Sequence, residues 1–127
     1  MIELRYSASD ELDISGTVPE LQDVRRAVLE VAQSGACVEI DADSSIDPNP
    51  YDAALSKLII ATDVRPANVY IDDSVVHITA APYCLEALAS FLDFKPNAQE
   101  GDHSHYEYYE GNKWIASGSV RVVFSVK

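Results

Sequence analysis

The segment from His103 to Tyr109 contains the residues of this chain that are best suited to chemistry. Its sequence, HSHYEYY, places His103, His105 and Glu107 at every second position. Side chains alternate between the two faces of a β-strand, so we expect these three to share one face with Tyr109, while Tyr106 takes the other. Two imidazoles and a carboxylate at this spacing could chelate zinc or another divalent ion. The same pattern is also typical of an exposed strand face that contacts a protein.

The sequence around these histidines favours a protein contact over a metal site. No fourth ligand and no nucleophile lies nearby, and neither Ser117 nor Ser119 belongs to a G-x-S-x-G elbow. His77 stands among apolar residues, as a structural histidine does. We therefore predict no metal, no cofactor and no enzymatic activity. A metal-binding or hydrolytic site built from His103, His105 and Glu107 remains the alternative.

A second group of chemically suggestive residues follows a predicted strand at positions 36–40. Six oxygen-bearing side chains fall at the ligand positions of an EF-hand calcium loop, but Ile46 replaces its required glycine and an aspartate replaces its final glutamate. Pro48 and Pro50 stiffen the backbone between the ligands. We therefore predict an acidic surface loop that faces solvent or a partner. The six residues are Asp41, Asp43, Ser45, Asp47, Asn49 and Asp52.

The charge balance limits the class of partner. The chain has 127 residues, with 21 acidic against nine basic ones and a net charge of -12. Nucleic acid and anionic membrane surfaces both attract basic patches, so this composition argues against either as a partner. It favours a basic protein partner, although an acidic surface that serves only solubility is the plainer explanation.

The two cysteines and the absence of long apolar runs predict the compartment. Cys37 and Cys84 are too few for a disulfide framework and lack zinc or redox spacing, so we expect reduced thiols. No basic and apolar leader is evident, and no apolar run approaches the roughly 18 residues that span a bilayer. We predict a cytoplasmic protein.

Hydrophobic periodicity predicts an opening hairpin and then a helix. Apolar residues alternate with polar ones on both sides of a polar turn at 7–11. Thr17 and Glu20 then form a capping box, Pro19 lies in the first turn, and Gly35 is placed to end a helix that runs to about Gln33. The apolar stripe of this helix is Leu21, Val24, Val28 and Val31.

The second half predicts further strands and one more helix. Pro82 opens that helix, and Pro96 ends it at or near Lys95. The predicted strands cover 58–62, a hairpin of 69–71 with 75–79, the tyrosine segment, and a final strand from Val120 to Val126 that a Gly-Asn turn joins to it. Without an internal repeat, this pattern predicts a single α+β domain over 1–127, a two-layer sandwich of a mostly antiparallel or mixed sheet with two helices.

The aromatic residues of the tyrosine segment are predicted to divide between core and surface. Tyr106 and Tyr108 should face the core, because a strand in a sheet must bury one of its faces. Trp114 follows the Gly111-Asn112 turn, where it either plugs the end of the sandwich or projects from it. Large amphipathic side chains that remain exposed are typical of protein interfaces.

The run HSHYEYYEGNKWIASGSVRVVFSV resembles the C-terminal signature of a family of bacterial polymorphic-toxin immunity proteins. In that signature H-x-H-x-E-Y-Y precedes a short turn, a serine and a final apolar strand. Glu110 and Arg121 carry charges where the pattern has proline. The residues that match, besides the final strand, are His103, His105, Glu107, Tyr108, Tyr109, Gly111 and Ser119.

This resemblance implies a small cytoplasmic α+β protein that binds and neutralises a cognate toxin domain without a reaction of its own. The negative charge fits a toxin with a basic surface, such as a nuclease. An interaction module outside toxin systems is a further alternative, and edge strands offer a route to a homodimer. The predicted contact surface consists of Glu39, Asp41, Asp43, Asp47, Asp52, Glu107, Tyr109 and Trp114.

Reversal of two loop charges tests this prediction. Changing Asp43 and Asp47 to lysine should leave the fold intact and slow association with a basic partner, because steering depends on the acidic surface. Association rates measured over a range of salt concentrations check it, and an unchanged salt dependence would contradict it.

Overall fold

The computed structural model describes all residues from Met1 to Lys127 and has the α+β composition predicted from the sequence. Nine strands and two helices follow one another along the chain. They are β1 (Glu3–Ser7), β2 (Glu11–Gly16), α1 (Val18–Ser34), β3 (Val38–Asp41), β4 (Ala53–Leu55), β5 (Lys57–Thr62), β6 (Asn68–Asp72), β7 (Val75–Ala80), α2 (Pro82–Ser90), β8 (His103–Tyr106) and β9 (Arg121–Val126).

The strands form two sheets instead of the one sheet expected from the sequence. The five-stranded sheet has the order β4-β1-β2-β9-β8, and the four-stranded sheet has the order β3-β5-β7-β6. The pairs β2–β9 and β5–β7 are parallel, and every other pair is antiparallel. Both hairpins predicted from alternation, β1–β2 and β6–β7, are confirmed.

The two halves of the chain have the same topology. Each consists of an antiparallel hairpin, a helix and a second antiparallel pair: β1-β2-α1-β3-β5 in the first half and β6-β7-α2-β8-β9 in the second. Glu11 pairs with Arg121, and Lys57 pairs with Val75. Glu11 and Val75 are as far apart in sequence as Lys57 and Arg121, so the two parallel pairs have matching registers. This repeat lies in the topology, and the sequence alone shows no sign of it.

Helix α1 follows its sequence signals closely. The Thr17 hydroxyl accepts a hydrogen bond from the Glu20 N–H, and the Glu20 carboxylate accepts one from the Thr17 N–H, which completes the capping box. Gly35 ends the helix with φ 76, a left-handed conformation that costs glycine little. The predicted stripe is buried and packs towards both sheets: Leu21, Val24, Val28 and Val31.

Helix α2 ends at Ser90, five residues before the predicted end at Lys95. The N–H groups of Phe91 and Leu92 bond to carbonyls three residues back, so the last turn is tighter than an α-helix. The Phe91 carbonyl then accepts a hydrogen bond of 2.6 Å from the Ser104 hydroxyl of β8. The helix thus ends before Pro96, and a hydroxyl of β8 bonds the Phe91 carbonyl at its end.

The tyrosine strand is also shorter than predicted. β8 ends at Tyr106, so Glu107, Tyr108 and Tyr109 lie outside the strand and their predicted alternation does not apply. A long connection, residues 107–120, replaces the predicted short hairpin turn. Its residue Ile115 bridges to Ala67 beside the other sheet. The corresponding connection in the first half likewise crosses over and pairs β4 with β1.

The outer face of the five-stranded sheet holds a buried polar network. Asp13 is only 9% exposed and accepts a 2.6 Å hydrogen bond from the Ser125 hydroxyl. Burial raises the pKa of Asp13, although the Ser125 hydroxyl and the charge of Arg5 oppose this shift. Nearby, the Tyr51 hydroxyl donates to Glu11, and burial raises the pKa of Tyr51 to about 12. This network fastens the acidic loop to the sheet.

Replacing Asp13 with asparagine should stabilise the protein at neutral pH. The folded-state pKa of Asp13 is raised, which means that the folded protein favours the protonated carboxyl. This contribution to stability is present at low pH and is lost as pH rises through that pKa, where a buried charge replaces the neutral group. Asparagine can still accept the Ser125 bond. Urea unfolding at pH 7 and pH 4 should therefore show a gain at pH 7 that shrinks at pH 4, whereas the exposed control Glu100→Gln should show no such difference. A loss of stability at pH 7 would contradict this.

Candidate protein-binding surfaces

The eight residues of the predicted contact surface divide into two groups. Five acids lie on β3 and the connection after it, and the other three lie on the connection after β8. In the second half of the chain, β8 is the counterpart of β3. Asp41 is the last residue of β3, opposite Lys57, and Glu107 directly follows the last residue of β8. These two acids therefore occupy corresponding places in the two halves. The structure therefore presents two related surfaces where the sequence suggested one.

Glu39 and Asp41 are the acids of the first group that remain available. Both are exposed on β3, an edge strand of the four-stranded sheet, as the alternation predicted. Glu39 lies 3.8 Å from the Lys57 ammonium, a partly exposed pair that contributes little to stability. Asp41 takes part in none of the ion pairs. A basic partner can approach both carboxylates.

The other three acids of this group stabilise the connection that carries them. Asp43 accepts hydrogen bonds from the hydroxyl and N–H of Ser45, which lower its pKa. Asp47 accepts one from the Asn49 N–H, and Asp52 accepts one from the Ala8 N–H. The bonds of Asp43 and Asp47 lie within the connection, and the bond of Asp52 ties it to the turn between β1 and β2. Lysine at Asp43 or Asp47 removes a turn bond as well as charge, so we expect these reversals to lower stability in addition to slowing association.

An acidic cleft of about 350 Å³ lies between α1 and β3. Asp41 forms part of its wall, together with Glu20 and Asp23 of the helix. The Met1 ammonium donates a 2.5 Å bond to Glu20, and this contact is the main reason that the pKa of Glu20 falls to about 2. Glu20 is therefore ionised at neutral pH and paired with the Met1 ammonium.

An aromatic cleft of about 450 Å³ occupies the corresponding position between α2 and the end of β8. Glu107, Tyr109 and Trp114, the whole second group of predicted contact residues, line it together. No lysine or arginine faces it. Its complete lining is Ala87, Ser90, Phe91, His105, Tyr106, Glu107, Tyr109, Asn112, Trp114 and Ile115.

Trp114 projects from the surface but is held firmly. It is 47% exposed, so it projects from the end of the sandwich and does not plug it. Its backbone N–H donates to the Asn112 side chain at 2.8 Å, and its backbone carbonyl accepts from the Ala67 N–H at 2.8 Å. Its ring meets the exposed ring of Tyr83 edge to face, with centroids 5.4 Å apart. The hydrogen bonds fix the backbone of Trp114, and the contact with Tyr83 orients its ring.

The tyrosines of this segment divide differently from the prediction. Tyr106 is buried as expected, and it contacts the ring of Phe91 edge to face at 5.1 Å. Tyr108, predicted to lie in the core, is 36% exposed because β8 has already ended and imposes no alternation on it. Tyr109 is exposed as predicted.

The two histidines share an exposed face of β8, as the spacing predicted. Their rings are nearly perpendicular with centroids 5.0 Å apart, and His103 Nδ1 lies 3.0 Å from the Gly101 carbonyl oxygen. Glu107 lies beyond the strand, and no three His, Cys, Asp or Glu side chains of the protein are grouped so that they could hold a metal ion. The geometry therefore gives the metal-binding alternative no support.

Ser119, part of the family signature, has a structural role. Its hydroxyl accepts a 2.9 Å hydrogen bond from the Val69 N–H of β6, and the Val120 N–H bonds back to the Val69 carbonyl. Both bonds tie the connection after β8 to the opposite sheet. Ser119 thereby helps to fix the wall of the aromatic cleft.

Sequence reasoning missed three contributors to the aromatic cleft: Tyr83, Phe91 and Asn112. A signal for the two aromatics was present, because both lie off the buried stripe of α2 and so had to face outward. Asn112 gave no signal beyond its place in a turn. Its role in holding Trp114 depends on the folded connection.

Comparison with known proteins gives no relative, because no family model, curated protein or solved structure matches this chain. Neither α1 nor α2 has the length and apolarity needed to cross a membrane. Both cysteines are free, Cys37 exposed and Cys84 buried.

Replacing Tyr106 with phenylalanine should preserve or increase stability. The Tyr106 hydroxyl is buried without a hydrogen-bond partner, and burial raises its pKa strongly. An unpaired buried polar group costs about 1–3 kcal/mol, so removing it should raise the unfolding free energy by up to about 1 kcal/mol once lost packing is included. Urea unfolding measures this, with Tyr108→Phe as the exposed control. A clear loss would mean that the hydroxyl has a bonding role.

Proposed function

We propose that this protein is an immunity protein, which binds and neutralises a basic toxin domain, such as a nuclease, in the cytoplasm. The toxin part of this proposal comes from the resemblance of the segment from His103 to Val126. The binding part comes from the aromatic cleft and the two sets of carboxylates. No chemical reaction is required of the protein.

The aromatic cleft is the observation that carries the proposal. Large apolar side chains rarely gather on the surface of a protein that has no partner, and patches of them mark interaction sites. Phe91, Tyr109 and Trp114 line one cleft, and Tyr83 extends it. Tyrosine and tryptophan are the residues most enriched where interfaces derive their energy.

The acids supply the second part of the argument. The exposed carboxylates of Glu39 and Asp41 lie on one surface, and that of Glu107 lies on the other. An overall charge of -12 gives a field that accelerates encounter with a basic protein and disfavours acidic ones. An inhibitor that must act before its toxin does benefits from fast association.

Capture from the native cell tests the proposal. The tagged protein should retain a basic protein domain at a one-to-one ratio, and that domain alone should be toxic when expressed without this protein. Mass spectrometry of the eluate and a co-expression survival assay measure the two parts. A stable partner that has no toxicity would contradict the immunity function and leave an interaction module.

Reversal of the exposed acids on β3 should slow association with the captured partner. Glu39→Lys with Asp41→Lys should reduce the association rate constant by about fivefold or more at low salt, with a smaller effect at high salt. These carboxylates support no turn, so the fold should persist, with a loss of at most about 1 kcal/mol per pair from repulsion between the new lysines and Lys57. Surface plasmon resonance at several salt concentrations checks it.

The matched control is Glu100→Lys combined with Asp72→Lys, which changes the net charge by the same amount. These exposed residues lie on the linker before β8 and at the end of β6, outside both clefts. The control should associate nearly as fast as the unmodified protein. Equal slowing by control and test variants would show that net charge alone, and not the β3 surface, steers the encounter.

A further inference from the structure

We infer that the aromatic cleft is a receptor for one arginine side chain at the surface of the partner protein. This inference rests on the proposed function, which requires a basic protein partner, and it adds the chemistry of the contact. The cleft between α2 and β8 is thereby assigned a cationic occupant.

The first argument is the chemistry of the cleft wall. Aromatic faces attract cations, and a guanidinium stacks on them more readily than an ammonium does. Phe91, Tyr109 and Trp114 supply such faces, and Trp114 and Tyr109 are 47% and 66% exposed. The aromatic wall therefore suits a flat cation better than it suits an anion.

The second argument is charge. Glu107 is the one acidic side chain of the lining, it is exposed, and none of the ion pairs in the protein involves it. The wall holds no lysine or arginine, and its one histidine, His105, forms no ion pair with Glu107. A carboxylate beside aromatic rings matches arginine, because a guanidinium can form an ion pair with the carboxylate and stack on the rings at the same time.

The third argument is preorganisation. The backbone of Trp114 is fixed by the Asn112 side chain and the Ala67 N–H, and its ring packs edge to face against Tyr83. The floor of the cleft is the buried ring of Tyr106, which is packed against Phe91. A site whose walls are already fixed loses little entropy when a side chain enters it.

Titration with N-acetyl-arginine amide tests the inference without any partner protein. Trp114 is the only tryptophan, so its indole N–H signal in an NMR spectrum reports on this cleft alone. We expect a saturable shift of that signal, and no comparable shift with N-acetyl-citrulline amide, which has nearly the same shape without the charge. Glu107→Gln should weaken the binding by about two- to fivefold, as the loss of one exposed ion pair does.

Two controls separate the cleft from its neighbourhood. Glu110→Gln changes the same charge on a neighbouring residue outside the cleft and should leave the arginine titration unchanged. Tyr109→Leu keeps an apolar wall but removes one aromatic face, so it should weaken binding. Equal shifts by the arginine and citrulline probes, or self-association of the protein through this cleft, would overturn the inference.

Failure of this inference can be told apart from failure of the proposed function. If a toxic partner is captured but Glu107→Gln and Tyr109→Leu leave its affinity unchanged, the arginine receptor is wrong and the immunity function stands. If no partner is captured while the arginine probe binds selectively, the immunity function fails and the cation preference of the cleft stands.

Discussion

Parallel pairing between the two halves of the chain is the constraint on which the rest of this structure depends. β9 lies between β2 and β8, and β7 lies between β5 and β6, so neither half completes a sheet alone. The β2–β9 pair joins residues near the two ends of the chain, which costs loop-closure entropy that only a shared core can offset. Helices α1 and α2 pack against each other and complete that core.

This arrangement also decides where the candidate surfaces lie. In each half, the chain leaves an edge strand, crosses to the other sheet and returns, which places a long connection beside a helix. The two clefts occupy corresponding places and differ in what lines them. Three carboxylates, set among apolar residues, line the cleft beside α1, and aromatic rings line the cleft beside α2. One scaffold thus presents charge on one surface and apolar contact area on another.

Local signals in the sequence were sufficient for the elements they control. The capping box at Thr17 and Glu20 and the left-handed Gly35 act within a few residues, and α1 lies where they predict. Tertiary contacts decided the cases that failed. Helix α2 ends early, where Ser104 of β8 bonds the Phe91 carbonyl, and β8 ends at Tyr106, so Tyr108 lies outside the strand and is exposed. No local pattern indicates which distant strand will pair with β2.

The candidate site was predictable in its residues but not in its grouping. Glu107, Tyr109 and Trp114 were selected for their chemistry, and the folded connection places them in one cleft with Phe91. The acids of residues 39–52 were selected for their charge, and three of them prove to hold turns. Charge counts cannot separate a carboxylate that stabilises a turn from one that is free for a partner.

The most direct test of the account is hydrogen–deuterium exchange of the protein, free and in complex with its captured partner. Binding through the proposed surfaces predicts slower exchange in the connection after β8, residues 107–115, and in β3 with the start of its connection, residues 38–43. Protection confined to another surface, such as the β6–β7 hairpin, would contradict the account.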